Sequence, residues 1–90
     1  MRENFKGMWI PNFVWGYGLN SDQKIIYAEI HSLCKRFNNE CTASDHHFAT
    51  LIERSRISAN KDVQILKEKK LITIKKVKKN GKIQRIIQIW

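Results

Sequence analysis

Near its C-terminal end the sequence reads LITIKKVKKNGKIQRIIQIW, and the Asn80–Gly81 pair within it constrains the fold more than any other dipeptide. A tight two-residue hairpin turn needs positive φ at both of its positions, which Asn and Gly tolerate best. On either side the chain is rich in β-branched residues that alternate roughly every second position, as with Ile72 and Ile74, the period of a strand. The pattern predicts a twisted two-stranded hairpin with a lysine-rich tip, closing the domain.

Upstream of Leu71 the period is helical. LNSDQKIIYAEIHSLCKRF carries a capping residue at Asn20 or Ser21, with Asp22 near the positive end of the helix dipole. Ile26, Ile30, Leu33 and Phe37 form its expected inner stripe, widened by Ile25 and Cys34, and NNE at 38–40 breaks the pattern. CTASDHHFATLIERS begins with a short extended piece, offers Ser44 as a cap, and gives Phe48, Leu51 and Ile52 to a brief second helix. The amphipathic phase changes at Glu53–Arg54. Ser55 then caps a third helix running to about Lys69, whose Ala59, Val63 and Leu66 share one side. At the other end, FKGMWIPNFVWGYG holds Trp9, Phe13, Trp15 and Tyr17. These aromatics are expected to pack on the core or on a second subunit, with Pro11 limiting regular structure to a short extended piece at Met8–Ile10.

Ninety residues, 42% of them hydrophobic and only one a proline, describe one folded domain rather than a disordered chain. No apolar run reaches membrane-spanning length and MRENFKGMWIPNF is not a signal peptide, so a cytoplasmic location without membrane contact is expected. Cys34 and Cys41 are expected to be reduced, buried thiols. A zinc site would have to recruit Cys34, Cys41, His46 and His47. No C-x-x-C pair supports it, and adjacent histidines on a helix diverge, so neither metal nor cofactor is expected.

The charge is unevenly placed. The chain carries +9 overall, yet residues 54–85 hold twelve basic residues against two acidic ones, a net of +10, leaving −1 for the remainder. Solubility needs no such asymmetry; a polyanionic partner explains it.

The order of arm, helix, short strand, helix, tight turn, helix and hairpin resembles a winged helix-turn-helix. WIPNFVWGYGLNSDQKIIYAEIHSL, ECTASDHHFATLIERSRISANKDVQILKEKKLI and IKKVKKNGKIQRIIQI together look like the helix-turn-helix domain of replication initiators and related proteins of Gram-positive phages and plasmids. The resemblance covers nearly the whole chain. It implies an α+β winged helix-turn-helix in one domain: an aromatic, partly extended arm at 1–19, a three-helix core at 20–70 and a two-stranded wing at 71–90. Ser44 to Glu53 becomes the positioning helix and Ser55 to Lys69 the recognition helix. The family usually has glycine and then an aliphatic residue in the turn, where this chain has Glu53 and Arg54, and glycine near Lys70. Those departures bear on the geometry of the turn and of the helix end.

A recognition helix enters the major groove with its N-terminal residues against base edges. Arg56, Asn60, Lys61 and Gln64 bring suitable donors, and Ile57 matches a thymine methyl. Ser55 and Ser58 suit a phosphate. In the wing, Lys78, Lys79 and Lys82 suit phosphate or the adjacent minor groove, flanked by Lys75, Lys76 and Arg85. The expected partner is double-stranded DNA, with a homodimer through the aromatic arm as a companion expectation. Ala59, Val63 and Leu66 are core, and Lys67 to Lys70 a solvated helix end.

Two other readings use the same fold: a transcriptional regulator with the same contacts, and a protein-interaction or oligomerisation winged helix with the arm as its sticky surface. Catalysis is not expected. It would need a pocket with a nucleophile, base or metal in register, and the chain has no phosphate-binding glycine loop.

Overall fold

A computed structural model of the chain describes residues 18–89. The aromatic residues at 9–17, the extended piece expected at Met8–Ile10 and the dimer expected through the arm therefore fall outside the described residues. Five elements follow: α1 (Ser21–Arg36), α2 (Asp45–Ile52), α3 (Arg56–Glu68), β1 (Ile72–Lys79) and β2 (Lys82–Ile89).

Each helix begins where the sequence supplies an oxygen to its first free amides. Asn20 and Gln23 form a reciprocal capping box at α1, with Gln23 N donating to Asn20 Oδ1 at 2.8 Å and Asn20 N to Gln23 Oε1 at 3.1 Å. Ser44 caps α2 by accepting from His47 N, and Ser55 caps α3 by accepting from Ser58 N at 3.1 Å. One element of the expected core is corrected. Phe37 does not complete the inner stripe of α1: the helix ends at Arg36, Phe37 leaves helical dihedrals, and its side chain is 55% exposed. Asn38 and Asn39 then both adopt positive φ, which turns the chain sharply back.

The two positions without the expected glycine keep the backbone conformation that glycine would favour. Glu53 is left-handed (φ 57°, ψ 45°), and Arg54 N donates back to Ala49 O at 3.0 Å. Lys70 is also left-handed (φ 62°), with Leu71 N donating to Leu66 O at 3.1 Å. Both are the helix-ending arrangement in which an amide reaches back to an otherwise unpartnered carbonyl. The turn between α2 and α3 is thus formed without glycine, at a local conformational cost.

The wing is an antiparallel ribbon with Ile72 opposite Ile89 and Lys79 opposite Lys82. Asn80 and Gly81 sit at its tip with φ of 53° and 77°, the doubly positive turn that the pair predicts. Cys41 supplies a short third segment: its N and O bond Ile87 O and N at 2.8 and 2.9 Å. That bridge ties the ribbon to the chain between α1 and α2.

Phe48 of α2, Ile25, Ile26 and Ile30 of α1, Val63 and Leu66 of α3, and Ile72 and Ile87 of the ribbon are essentially inaccessible and form one core. Burying side chains of this kind is worth about 1.5–3 kcal/mol each. α1 packs on α2, α3 and β2, so the third helix is seated on it directly and the ribbon through β2. Cys34 and Cys41 are buried free thiols, and Cys34 Sγ donates to Ile87 O at 3.4 Å. Among the described residues no helix is long and apolar enough to cross a membrane.

Candidate nucleic-acid interface

The third helix has two opposed faces. Ala59, Val63 and Leu66 are fully buried, and half a turn away lie Ile57, Lys61 and Gln64 at spacings of four and three. Ile57 is 82% exposed. Arg56, Ser58 and Lys61 are exposed beside it, and Gln64 is half-buried. Glu68 falls on the same outer stripe one turn after Gln64, so an acid bounds it on the C-terminal side. The part of α3 able to face a polyanion is therefore its N-terminal half.

Arg56 and Ser55 are held locally. Arg56 Nη2 lies 3.4 Å from His46 Nδ1 on α2, and Ser55 Oγ, while capping the helix, also donates to Ser58 Oγ at 3.2 Å. Asn60 is turned inward: its Nδ2 donates to Asp45 Oδ2 at 3.0 Å. Arg85 meets the same carboxylate, Nη1 donating to Asp45 Oδ1 at 2.7 Å and Nη2 to Ala43 O at 2.9 Å. Its side chain is only 18% exposed. The structure therefore places Asn60 and Arg85 in the junction between elements rather than on the outer surface with Arg56, Ile57, Ser58 and Lys61.

Cross-strand partners share a face of the ribbon. Ile72, Ile74, Ile87 and Ile89 occupy the core-facing side near its base, and the same side continues outward as Lys76 with Arg85 and Lys78 with Ile83. Lys75, Lys79 and Lys82 lie on the opposite side, and all five lysines are exposed. Ile83 is 72% exposed. Between the tip half of β2 and the segment 42–45 lies an open cleft of about 690 Å³, with Ser44, Asp45, Lys82, Ile83 and Arg85 among its lining residues.

Asp22, Glu29, Asp45 and Asp62 are paired or buried, whereas Glu53 and Glu68 are exposed. Asp22 accepts from Arg54 Nε at 3.2 Å, Glu29 pairs with His47, and Asp45 is taken by Arg85. Asp62 is buried against α1, where burial pushes its carboxyl pKa above the ordinary value despite the opposing hydrogen bond from Gln23 Nε2 at 3.2 Å. Around α3 and the ribbon the exposed lysines and Arg56 outnumber the exposed Glu53 and Glu68, so the local field is positive.

The four residues of the weighed zinc set are not brought together: Cys34 and Cys41 are in the core and His46 and His47 are exposed on α2. Burial raises the pKa of both thiols, that of Cys34 to about 11.

No protein-family model matches the chain, and no curated protein matches it. A solved chain from a Rep–DNA complex superposes with a TM-score of 0.64, covering 98% of this chain and 78% of that one at 16% identity. The fold is a winged helix-turn-helix. α2 and α3 are its helix-turn-helix and β1–β2 its wing. The contacts of Asp45 and the exposure of Ile83 were not legible in the sequence. Asp45 is separated by fifteen and forty residues from Asn60 and Arg85, and no local period joins the three. Ile83 carries one signal, an apolar residue between the polar tip residue Lys82 and Gln84.

Proposed function

We propose that this chain is a double-stranded DNA-binding module that reads sequence through α3, of the kind used in replication initiation. The observation that carries the proposal is the outer stripe of α3. Ile57 and Lys61, with Arg56 and Ser58 beside them, are exposed directly opposite a fully buried stripe, at the end of the helix that a winged helix-turn-helix inserts into the major groove. A lysine ribbon flanks it, and the fold is shared with a chain of a Rep–DNA complex. That neighbour favours replication over transcriptional regulation.

The module acts by binding and carries out no chemistry of its own. Lysines of the wing and amides at the start of α3 position the duplex through phosphates, which confer affinity without sequence information. Lys61 or Arg56 suits guanine, Gln64 suits adenine, and Ile57 suits the methyl group of thymine.

Selection of bound sites from a random duplex pool, followed by titration at several salt concentrations, tests the proposal. Enrichment of a defined sequence is expected, with dissociation constants of roughly nanomolar to micromolar that weaken steeply as salt rises. Failure to retain any duplex at low salt would reject it.

A further inference from the structure

We infer that Asp45 is a positioning residue that fixes the wing relative to the recognition helix, so that both meet the duplex as one rigid body. The inference rests on the DNA-binding reading above. Asp45 opens α2, where the helix dipole alone favours an acid. Its contacts go further than that role requires. One carboxylate oxygen accepts from Asn60 of α3 and the other from Arg85 of β2. Arg85 closes the junction by donating its second nitrogen to Ala43 O.

The position of this junction along the ribbon matters. Near its base the wing is anchored by Ile72 and Ile87 and by the Cys41 bridge. From Arg85 outward, Gln84, Ile83 and Lys82 are all exposed. Arg85 is thus the last shielded residue of β2 before the tip, and its tether sets the direction in which the tip leaves the body. On α3, Asn60 lies between the exposed Ile57 and Lys61, so the same carboxylate holds the segment that would read bases. A charge-assisted, partly shielded bond of 2.7 Å is stronger than a solvent-exposed ion pair. Two binding elements held at a fixed separation gain affinity through high effective concentration, and a loose linkage forfeits part of that gain.

The test compares two duplexes. One spans the whole hydroxyl-radical footprint of the unmodified protein; the other lacks the segment whose protection disappears in the Lys78→Ala/Lys79→Ala variant. The unmodified protein should bind the longer duplex more tightly. Asp45→Ala should lose roughly tenfold of that gain, read within each protein as the ratio of its affinities for the two duplexes, a modest share of the 10²–10⁴ that linkage can supply. Asp45→Asn, which retains an acceptor of the same shape, should fall between the two, and it carries the comparison if Asp45→Ala does not fold. An equal gain in variant and unmodified protein would overturn the inference, as would an equal loss on both duplexes, the mark of general destabilisation. If the unmodified protein binds neither duplex, the DNA-binding reading itself fails.

Discussion

Asp62 of α3 faces Gln23 of α1 across the helix interface, its Oδ1 accepting from Gln23 Nε2 at 3.2 Å with both residues buried. Gln23 also closes the capping box of α1, so one side chain joins the start of the first helix to the middle of the third. Burial raises the Asp62 pKa, the largest cause, and the Gln23 bond opposes it only in part. The folded state therefore holds the Asp62 proton more tightly than the unfolded chain does. The resulting stability is fully present below the unfolded value of about 3.9 and is lost as pH rises through the folded value. Asp62→Asn, which can still accept from Gln23, should raise the melting temperature at pH 7. The difference should shrink towards pH 3. A difference of the same size at both pH values would contradict this account.

Glu53 and Lys70 occupy left-handed positions in which a side chain is strained. Glu53→Gly and Lys70→Gly should each relieve about 1 kcal/mol, partly offset by the greater freedom of glycine in the unfolded chain. In a domain of this size that corresponds to a rise in melting temperature of roughly 4–8 °C for each full kcal/mol. Thermal unfolding followed by circular dichroism measures it, and a fall in both variants would show that these side chains make contributions larger than the strain.

Ile57 is exposed in the folded chain, so Ile57→Ala should change stability by no more than about 0.5 kcal/mol. On a selected DNA site the same variant should weaken binding most where a thymine lies under the first turn of α3. Replacing that thymine with uracil, which lacks the methyl group, should abolish the difference between variant and unmodified protein.

Lys78 and Lys79 should act differently from Gln64. Each lysine-to-alanine change is expected to lower the slope of log K against log salt by about one, uniformly across sequences. Gln64→Ala should leave the slope intact and relax specificity at one base pair. Fluorescence anisotropy over a salt series separates the two behaviours.

Cys34 and Cys41 are buried, and burial raises the pKa of both, that of Cys34 to about 11. At pH 8 their reaction with a thiol reagent should be slow and should follow the opening rate of the fold. Labelling as fast as that of a free thiol would show that the ribbon base, where Cys34 meets Ile87, opens readily.

The sequence announces most of the scaffold because its signals are local. Ser44 and Ser55 mark helix starts, Asn80–Gly81 marks the hairpin, and Ala59, Val63 and Leu66 mark the buried side of α3. Phe37 misled because apolar spacing does not reveal where a helix unwinds, and the two asparagines that follow end α1 a residue before the stripe is complete. The candidate interface was legible only in part. Arg56, Ile57 and Lys61 could be placed outward by phase alone. Asn60 and Arg85 differ from them through Asp45, whose bonds to both depend on tertiary placement that no one-dimensional pattern contains.

The ribbon has unequal edges. Cys41 pairs with β2 at Ile87, and Asn39 holds both backbone groups of Ile89 through its side chain. Among the described residues no strand pairs with the far edge of β1, which carries Lys75, Lys76, Lys78 and Lys79. Two such edges meeting side by side would bring like charges into register at close spacing. The lysines thereby discourage the wings of neighbouring molecules from zipping into a continuous sheet, a safeguard against aggregation at any concentration where these chains crowd together.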